Sequence, residues 1–447
     1  MVYPNSPFKT TFNNKLITNL FLDDSVTKTK TSVSNEELLK IQQWLCSAPK
    51  ITSIRVNTIK TNTAKVLKVL KTYFAENCND TPNVYIHPSF TNVIIIDSLN
   101  CPAEFKKFDK EIIVDTDCAA AILRGAHIFA PGVLGMVSGS QINENVSIYA
   151  DVAKKCKKGL QKIYEDDFKI FIGNGIVKMQ RHQLFATDNI APSGIAVEVT
   201  ETISGCVPIS ESLLPVGDIL LQNIPSIVCV HNLNPKPGDV VLDMCASPGN
   251  KTTHIAELMQ NKGILIAIDK TPKKVAQLQK RCEDFGAKVY SFQADSTAII
   301  SDTLSSKNVI DGPPFAPQSF DKILLDAPCS VLGKRPQLAN RSSENEIKSF
   351  VPLQRKLFEN AAKLLKPGGI MVYSTCTITL SENEGIVAWA LKSFNFLELV
   401  QPDLTLGEPG WLGTSLSDEA RSFVQRFGPN SEVDSVGFFF AVFKQKT

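Results

Sequence analysis

Two cysteines in the C-terminal half of the chain have the side chain best suited to covalent chemistry. Cys329 lies in the segment Asp-Ala-Pro-Cys-Ser, and Cys376 lies in the segment Tyr-Ser-Thr-Cys-Thr. A thiolate is strongly nucleophilic near neutral pH, so either thiol could attack an electron-poor ring carbon of a pyrimidine. Each cysteine follows an apolar, strand-like run. The sequence therefore predicts two candidate nucleophiles, one at the end of each of two strands.

The chemistry that fits such a pair is methylation of a cytosine. A thiolate that adds at C6 pushes electron density to C5, which can then accept a methyl group from a sulfonium donor. The C5 proton must afterwards leave and the thiol must be eliminated, which calls for general acid or base help. Asp326 is the candidate acid for the N3 edge of the base. The residues alone do not choose between the two thiols, and both could instead be buried packing cysteines.

A loop of small residues farther upstream predicts a site for a nucleotide-like cofactor. It follows the strand-like run Val240–Asp243 and precedes a helix that begins at about Thr252. In a doubly wound sheet, ligands bind beyond the carboxyl ends of the strands, and the free amides of a helix start favour acceptor groups. The predicted cofactor residues of this loop are Cys245, Ala246, Ser247, Pro248, Gly249, Asn250 and Lys251.

Three further strand ends carry carboxylates that could bind the same cofactor. Asp269 ends the second strand and could accept hydrogen bonds from both ribose hydroxyls. Asp295 ends the third strand and could face the adenine ring or its amine, and Asp326 completes the set. Asp269 and Asp295 could also be ordinary turn residues at strand ends. Neither a Gly-x-Gly-x-x-Gly nor a phosphate-loop pattern occurs, which disfavours dehydrogenases and nucleotide hydrolases.

The elements that must position these residues divide the chain into three parts. Residues 204–447 alternate strand and helix, which predicts a doubly wound, Rossmann-like α/β domain with a largely parallel sheet. Residues 110–203 have short strand-like runs separated by glycines, which is typical of a small β-barrel-like module. Residues 1–109 have mixed α/β character, and we expect them to pack against the catalytic domain.

Composition limits the remaining possibilities. The net charge of +2 is nearly neutral, so nucleic-acid binding would need a local basic patch. The eleven cysteines form no Cys-x-x-Cys pair and the five histidines form no ligand cluster, so we expect no metal site. Free thiols favour a reducing compartment. No signal-peptide pattern and no apolar run of about 18 residues occurs, so we expect a soluble, cytoplasmic protein.

Several segments together resemble the Sun-domain family of RNA cytosine-5 methyltransferases. The segments are Asp243–His254, Asp326–Gly333, Leu364–Gly369, Tyr373–Cys376 and the N-terminal element Arg55–Thr58. The resemblance implies a class I methyltransferase that uses S-adenosylmethionine. It gives Cys376 the role of nucleophile, gives Cys329 a role in releasing the methylated product, and places Lys251 beside the reacting base. DNA cytosine methyltransferases instead use the Pro-Cys cysteine as nucleophile.

One position departs from the pattern of the family. The cofactor loop of the family usually reads Ala-Ala-Pro-Gly-Gly-Lys, whereas residues 246–251 here read Ala-Ser-Pro-Gly-Asn-Lys. Asparagine tolerates a positive φ better than most residues, so we expect Asn250 to preserve the turn. The property that this change could lower is the affinity for the methyl donor.

Residues 122–133 resemble the core motif of a PUA domain, an RNA-binding β-barrel, and an inserted PUA domain marks one branch of the family. The resemblance implies a cytosine at the acceptor end of transfer RNA, with the PUA domain holding the 3′ CCA tail. The resemblance also makes messenger RNA sites that contain CCA an expected further substrate class. Because basic side chains neutralise phosphates, we expect RNA contacts from a set of four, although a basic run can also be a solvated face. The set is Arg124, Lys157, Lys158 and Arg181.

Other functions stay open at this stage. The chain could be an RNA-binding protein that has lost catalysis, or a methyltransferase for another RNA such as ribosomal RNA, for protein or for DNA. Intact Cys329, Cys376, Asp326 and Lys251 favour catalysis. The PUA-like segment and the Thr-Cys motif disfavour protein and DNA substrates. We expect the protein to be a monomer.

Overall fold

Three β-sheets organise the chain. The computed structural model describes residues 35–447 except 79, 103, 168, 186–191, 302–307 and 340–341. In chain order the strands are β1 (Ile51–Val56), β2 (Val84–Ile86), β3 (Val93–Asp97), β4 (Glu111–Val114), β5 (Ile128–Phe129), β6 (Val133–Met136), β7 (Asn145–Asp151), β8 (Lys169–Val177), β9 (Ile195–Thr202), β10 (Ile219–Leu221), β11 (Val240–Asp243), β12 (Ile264–Asp269), β13 (Tyr290–Gln293), β14 (Phe320–Asp326), β15 (Leu365–Thr375), β16 (Leu397–Val400), β17 (Val424–Phe427) and β18 (Phe438–Gln445). The helices are α1 (Asn35–Cys46), α2 (Thr63–Asn77), α3 (Thr116–Ile122), α4 (Arg181–Leu184), α5 (Ile224–Leu233), α6 (Asn250–Leu258), α7 (Pro272–Phe285), α8 (Glu344–Leu364), α9 (Glu384–Ser393) and α10 (Asp418–Ser422).

The C-terminal sheet has the strand order β13-β12-β11-β14-β15-β18-β16, with β17 also paired to β18. The first five strands are parallel to one another, and β18 runs antiparallel between β15 and β16. Strands β11 and β12 are nearly continuous apolar runs, and the centre of β14 is apolar and buried at residues 323–325, because helices cover both faces of the sheet. The predicted doubly wound, largely parallel α/β sheet is confirmed, and β18, the last strand of the chain, lies within it.

Two helices of this domain differ from the sequence-based expectation. Helix α5 was not predicted, because it is apolar on all sides and therefore lacks the periodicity of a surface helix. The apolar spacing of the sequence predicts a helix only from Gln354, whereas helix α8 begins ten residues earlier, at Glu344. Pro352 lies inside it and obscures the pattern. The hydroxyl of Ser343 caps the true start by accepting a hydrogen bond from the Glu346 amide.

The inserted segment forms a six-stranded sheet of order β5-β9-β8-β7-β4-β6. Only the β4–β7 pair is parallel among the pairings described, and four of the pairings carry register shifts that increase local twist. Gly173 is required on β8, because a Cβ there would lie 2.2 Å from the Glu201 carbonyl oxygen. The strands predicted in this segment are present, while its identity as a PUA domain and the three domain boundaries stay predictions.

The N-terminal sheet is completed by a strand from beyond the insertion. Its order is β10-β1-β3-β2, so the chain returns after β9 to pair β10 with β1. A buried ion pair fixes this sheet to the helix that follows the cofactor loop, since Arg55 on β1 contacts Glu257 on α6 and both are almost fully buried. Arg55 also donates to Thr253 Oγ1 at 2.8 Å. No helix of the described residues is both long enough and apolar enough to cross a membrane.

Removing the cation of this ion pair should destabilise the protein strongly. Arg55→Ala leaves the buried carboxylate of Glu257 without its charge partner, which is expected to lower the free energy of unfolding by about 3–5 kcal/mol. Lys363→Ala is the matched control, because it breaks the exposed Lys363–Glu359 pair and should cost no more than about 0.5 kcal/mol. Urea unfolding followed by circular dichroism measures both. A loss below about 1 kcal/mol for Arg55→Ala would contradict the prediction.

Candidate active site

The parallel register brings the predicted functional residues to one edge of the C-terminal sheet. Asp243 on β11 pairs with Leu324 on β14, and Asp326 at the end of β14 pairs with Ser374 on β15. A cavity of about 410 Å³ lies at the carboxyl ends of these strands, the position where doubly wound sheets bind ligands. Seven predicted site residues line it: Cys245, Ser247, Asp269, Asp295, Asp326, Cys329 and Cys376.

The two cysteines are in direct contact inside this cavity. Their Sγ atoms lie 3.4 Å apart, with Cys329 buried and Cys376 partly buried. A hydrogen bond from Cys329 lowers the pKa of the Cys376 thiol, and the nearby Lys251 ammonium acts in the same direction, against the effects of burial and of the Asp326 carboxylate. The same hydrogen bond raises the pKa of Cys329, with burial and the negative charge of Glu382 adding to the effect. Cys376 is therefore the more easily ionised thiol.

Lys251, Asp326 and Ser374 form a short polar chain beside the thiols. Lys251 Nζ lies 2.7 Å from Asp326 Oδ2, and the Ser374 hydroxyl donates to Asp326 Oδ1 at 2.7 Å. Burial alone would lower the pKa of Lys251, but Asp326 outweighs it and holds that pKa above its usual value. Lys251 therefore stays a cation, and it fixes the orientation of Asp326 at the cavity wall.

The cofactor loop and Asp269 are held together by backbone hydrogen bonds. The Ser247 amide donates to Asp269 Oδ2 at 3.1 Å, and the Lys270 amide donates to Asp269 Oδ1 at 2.7 Å. A carboxylate can accept about four hydrogen bonds, so Asp269 keeps acceptor capacity for a ligand. Below the loop, burial raises the pKa of Asp243 to about 7, against a hydrogen bond from Thr252 Oγ1 at 2.7 Å.

Asp295 is a cavity carboxylate whose pKa is lowered by its neighbours. Hydrogen bonds from Lys270 and then from Thr297 lower the pKa of Asp295 to about 2. Its carboxylate lies 2.8 Å from Lys270 Nζ and 2.7 Å from Thr297 Oγ1. Asp295 therefore presents a fixed negative charge and an acceptor at the end of the third strand.

The turn of the cofactor loop differs from the expectation for Asn250. The positive φ of +103° falls on Gly249, and Asn250 is the first residue of helix α6. Asn250 therefore does not adopt the left-handed conformation that we expected from the sequence. A Cβ at residue 249 would also lie 3.1 Å from Leu278 Cδ1, which favours glycine there. Residues Ala246, Pro248, Gly249, Asn250 and Lys251 shape or support the loop and are not among the residues that line the cavity.

The four basic residues predicted to contact RNA fall into two groups. Lys157 and Lys158 are exposed on the segment between β7 and β8. Arg181 instead donates to the carbonyl oxygens of Met136 and Leu160, both at 2.9 Å. Arg124 donates to the carbonyl of Arg335 at 3.1 Å, and burial lowers its pKa. The two arginines therefore have structural contacts in this chain, and the two lysines are open to solvent.

Three site residues were given no role by the sequence argument. Ser374 orients Asp326, while Gln354 and Glu382 surround the loop of Cys329. Glu382 lies only six residues after Cys376, in the segment Ser-Glu-Asn-Glu. A polar segment of this composition is usually a solvated turn, and only the complete burial of Glu382 in the structure shows that it is part of the site.

Comparison with known proteins places this geometry in a family. Residues 230–444 match the sequence profile of the 16S rRNA methyltransferase RsmB/F family. The chain is 38% identical over 450 residues to tRNA (cytosine(72)-C(5))-methyltransferase NSUN6 of Mus musculus, covering 98% of this chain and 92% of that protein. It is 31% identical over 414 residues to the tRNA (cytosine(72)-C(5))-methyltransferase of Pyrococcus horikoshii, covering 92% of this chain and 94% of that protein.

A solved structure agrees with these relatives. The crystal structure of NSun6 from Pyrococcus horikoshii with SFG superposes with a TM-score of 0.71 at 30% identity, covering 93% of this chain and 96% of that chain. Similarity therefore extends over nearly the whole length, including the inserted sheet. Two contacting cysteines at the ends of β14 and β15, in a chain with these relatives, establish that the protein belongs to the Sun-domain, RsmB/F-type family of RNA cytosine-5 methyltransferases.

Proposed function

We propose that the protein transfers a methyl group from S-adenosylmethionine to C5 of a cytosine near the 3′ acceptor end of transfer RNA. The observation that carries the proposal is the 3.4 Å contact between the Cys329 and Cys376 sulfurs inside the cavity. One ionisable thiol paired with a protonated neighbour supplies the nucleophile and the hydrogen-bond donor that covalent attack on a pyrimidine requires.

The residues around the cavity fit S-adenosylmethionine chemically. That ligand presents two ribose hydroxyls, an adenine amine, an ammonium group and a sulfonium, all of which favour acceptors or negative charge. The cavity offers the carboxylates of Asp269, Asp295 and Asp326. We assign Asp269 to the ribose, Asp295 to the adenine side and the loop from Cys245 to Lys251 to the remainder. When bound, the donor supplies an electrophilic methyl group on its sulfonium.

Different residues of the chain act in the attack on the base and in the release of the product. Cys376 attacks C6 of the cytosine as a thiolate, while Asp326, oriented by Lys251 and Ser374, faces the N3 edge of the base. After methylation the C5 proton leaves and the bond between C6 and Cys376 breaks. The thiol of Cys329 then donates a hydrogen bond to the departing thiolate, restoring the contact seen between the two sulfurs.

The substrate assignment rests on the relatives that match nearly their full length. Those relatives bear the name of a transfer RNA enzyme specific for cytosine 72, so we assign the equivalent acceptor-stem cytosine to this chain. The inserted sheet would hold the CCA tail as a PUA domain, and messenger RNA with CCA sites would be a secondary substrate. Ribosomal RNA is the second candidate, because the matching profile is that of 16S rRNA methyltransferases.

The two thiols of the site favour a reducing cellular compartment. Cys329 and Cys376 at the site are both thiols, and both must stay reduced to act. A reducing compartment such as the cytoplasm provides this condition. We propose a cytoplasmic, monomeric enzyme. Sedimentation equilibrium of the purified protein tests the oligomeric state.

Substituting each cysteine should separate the two roles. Cys376→Ala should abolish methylation and form no covalent complex, since nothing replaces the nucleophile. Cys329→Ala should still allow attack and methyl transfer but should trap the enzyme on RNA, because the departing thiolate has lost its hydrogen-bond donor. A denaturing gel of enzyme incubated with transfer RNA and S-adenosylmethionine detects the complex as a slowly migrating band.

Each other outcome of the cysteine experiment has a definite meaning. A band from Cys376→Ala and none from Cys329→Ala would exchange the two roles. Methylation that persists in both variants without any band would reject covalent catalysis. Bisulfite sequencing of cellular transfer and ribosomal RNA, with and without the gene, decides between the two substrate classes.

Asp269→Ala should weaken the binding of S-adenosylmethionine by roughly 30-fold, because two hydrogen bonds of about 1 kcal/mol each are lost. Isothermal titration calorimetry measures the affinity. Asp418→Ala, at a side chain that is 95% exposed, is the matched control and should leave the affinity unchanged. Unchanged affinity in Asp269→Ala would remove the ribose assignment.

The double variant Lys157→Ala/Lys158→Ala should weaken RNA binding without affecting binding of the methyl donor. If both lysines neutralise phosphates, the slope of log affinity against log salt concentration should become shallower by about 1.4. Lys65→Ala/Lys68→Ala, at exposed lysines of α2, is the control for general charge. An unchanged slope in the first variant would make the segment an ordinary solvated surface.

A further inference from the structure

Glu382 is a fully buried carboxylate that lies between the two cysteine loops. It accepts hydrogen bonds from the Ser330 amide at 3.0 Å, the Ser330 hydroxyl at 2.6 Å, the Thr379 hydroxyl at 2.7 Å and Gln354 Nε2 at 3.0 Å. All four donors are neutral. Its side chain is 0% exposed, as are those of Gln354 and Thr379.

These contacts hold Cys329 from both sides. Ser330 follows Cys329, and the same nitrogen of Gln354 that contacts Glu382 also donates to the carbonyl of Pro328 at 3.0 Å. The Ser330 hydroxyl further contacts Thr377 Oγ1 at 2.7 Å, in the loop that follows the other cysteine. Glu382 therefore cross-links the two loops whose thiols meet.

Burying a negative charge costs desolvation free energy, and a neutral side chain could hold these two loops at a lower cost. The charge of Glu382 is therefore expected to have a function of its own. The charge of Glu382 acts on Cys329, whose pKa is raised first by its hydrogen bond to Cys376, then by burial, with Glu382 adding to both. Once Cys376 is bound to RNA as a thioether, it carries no charge. Burial and Glu382 then remain to hold the proton on Cys329.

The other charged groups near Cys329 largely cancel. Asp326 ends β14, the strand that precedes Cys329, and its Oδ2 atom lies 2.7 Å from Nζ of Lys251 on α6. Tyr373 on β15 stays neutral, since burial raises the pKa of its hydroxyl, and that hydroxyl donates to the backbone carbonyl of Glu382 at 2.7 Å. Glu382 is thus the carboxylate near Cys329 that is met by neutral donors instead of a cation.

We infer that Glu382 is a positioning residue of the release step, which orients Cys329 and keeps its thiol protonated while the covalent RNA adduct resolves. In that step the C5 proton passes to water, and its bonding pair forms the C5–C6 double bond. The bond from C6 to the Cys376 sulfur breaks, and its pair stays on sulfur as a thiolate that accepts the Cys329 hydrogen bond. This inference rests on the proposed covalent mechanism.

Glu382→Gln tests the charge while keeping the size of the side chain. The Gln oxygen can accept from the Ser330 amide and Gln354, and its NH2 group can donate to the Ser330 and Thr379 hydroxyls, which can act as acceptors. Without the negative charge the Cys329 thiol loses its proton at lower pH. The alkaline limb of the pH–rate profile, measured over multiple turnovers, should therefore move to lower pH. Above that pH, adduct should accumulate on a denaturing gel while single-turnover methyl transfer persists.

Two further variants separate charge from structure. Glu382→Asp keeps the charge but shortens the side chain, so it should slow release at every pH and leave the alkaline limb in place. Glu359→Gln, at an exposed glutamate of α8, should change neither the rate of product release nor the position of the alkaline limb. If Glu382→Gln does not fold, Glu382→Asp carries the test alone, and release at the wild-type rate in that variant overturns the inference.

The remaining outcomes distinguish this inference from the mechanism on which it rests. A rate that falls equally at every pH in Glu382→Gln, with the limb unmoved, would make Glu382 purely structural and overturn the inference. If Cys329→Ala, assayed in parallel, traps no adduct, the covalent mechanism fails. An adduct in Cys329→Ala together with an unmoved limb in Glu382→Gln rejects only the role of Glu382.

Discussion

The parallel pairing of β14 with β15 is the constraint on which the rest of the site depends. Because Asp326 and Ser374 occupy paired positions in the register, the residues three and two places later, Cys329 and Cys376, leave the sheet at the same edge. A slip of one residue would turn the strand-end side chains to the opposite face. The apolar faces of these strands, buried under helices on both sides, fix the register, so the sulfur–sulfur contact is a consequence of packing in the core.

The polar groups at this edge act strongly because they are buried. Hydrogen bonds and charges gain strength where water is excluded, and an unpaired group there is correspondingly costly. The chain meets this cost with neutral donors around Glu382 and with a cation, Lys251, beside Asp326. The neighbouring thiols have opposite tendencies. The hydrogen bond from Cys329, with Lys251 adding to it, favours a thiolate at Cys376 against burial and Asp326. The same hydrogen bond, burial and Glu382 favour a protonated Cys329.

The N-terminal region and the inserted sheet are fixed to the catalytic domain by buried arginines. Arg335, which is almost fully buried, donates to the Trp44 carbonyl at 2.8 Å and to the Ser435 carbonyl at 2.6 Å, and its guanidinium lies 4.2 Å from the centre of the Trp44 ring. Arg124 of the inserted segment donates to the backbone carbonyl of the same Arg335. Arg124 thus helps to set the orientation of the inserted sheet relative to the catalytic cavity. This role differs from the RNA contact that its charge alone suggests.

The sequence by itself determined the alternating strands and helices, the two cysteine loops and the carboxylates at the strand ends, because local apolar patterns and turn residues encode them. It missed helix α5, which is apolar on every side, and it assigned the positive φ to Asn250 when Gly249 adopts it. Only the tertiary structure decided that Cys376 is the more ionisable thiol, that Arg124 and Arg181 bind backbone carbonyls, and that Glu382 is buried between the two loops. Those properties depend on which groups from distant segments come within a few ångströms and lose contact with water, and local sequence patterns carry no record of either.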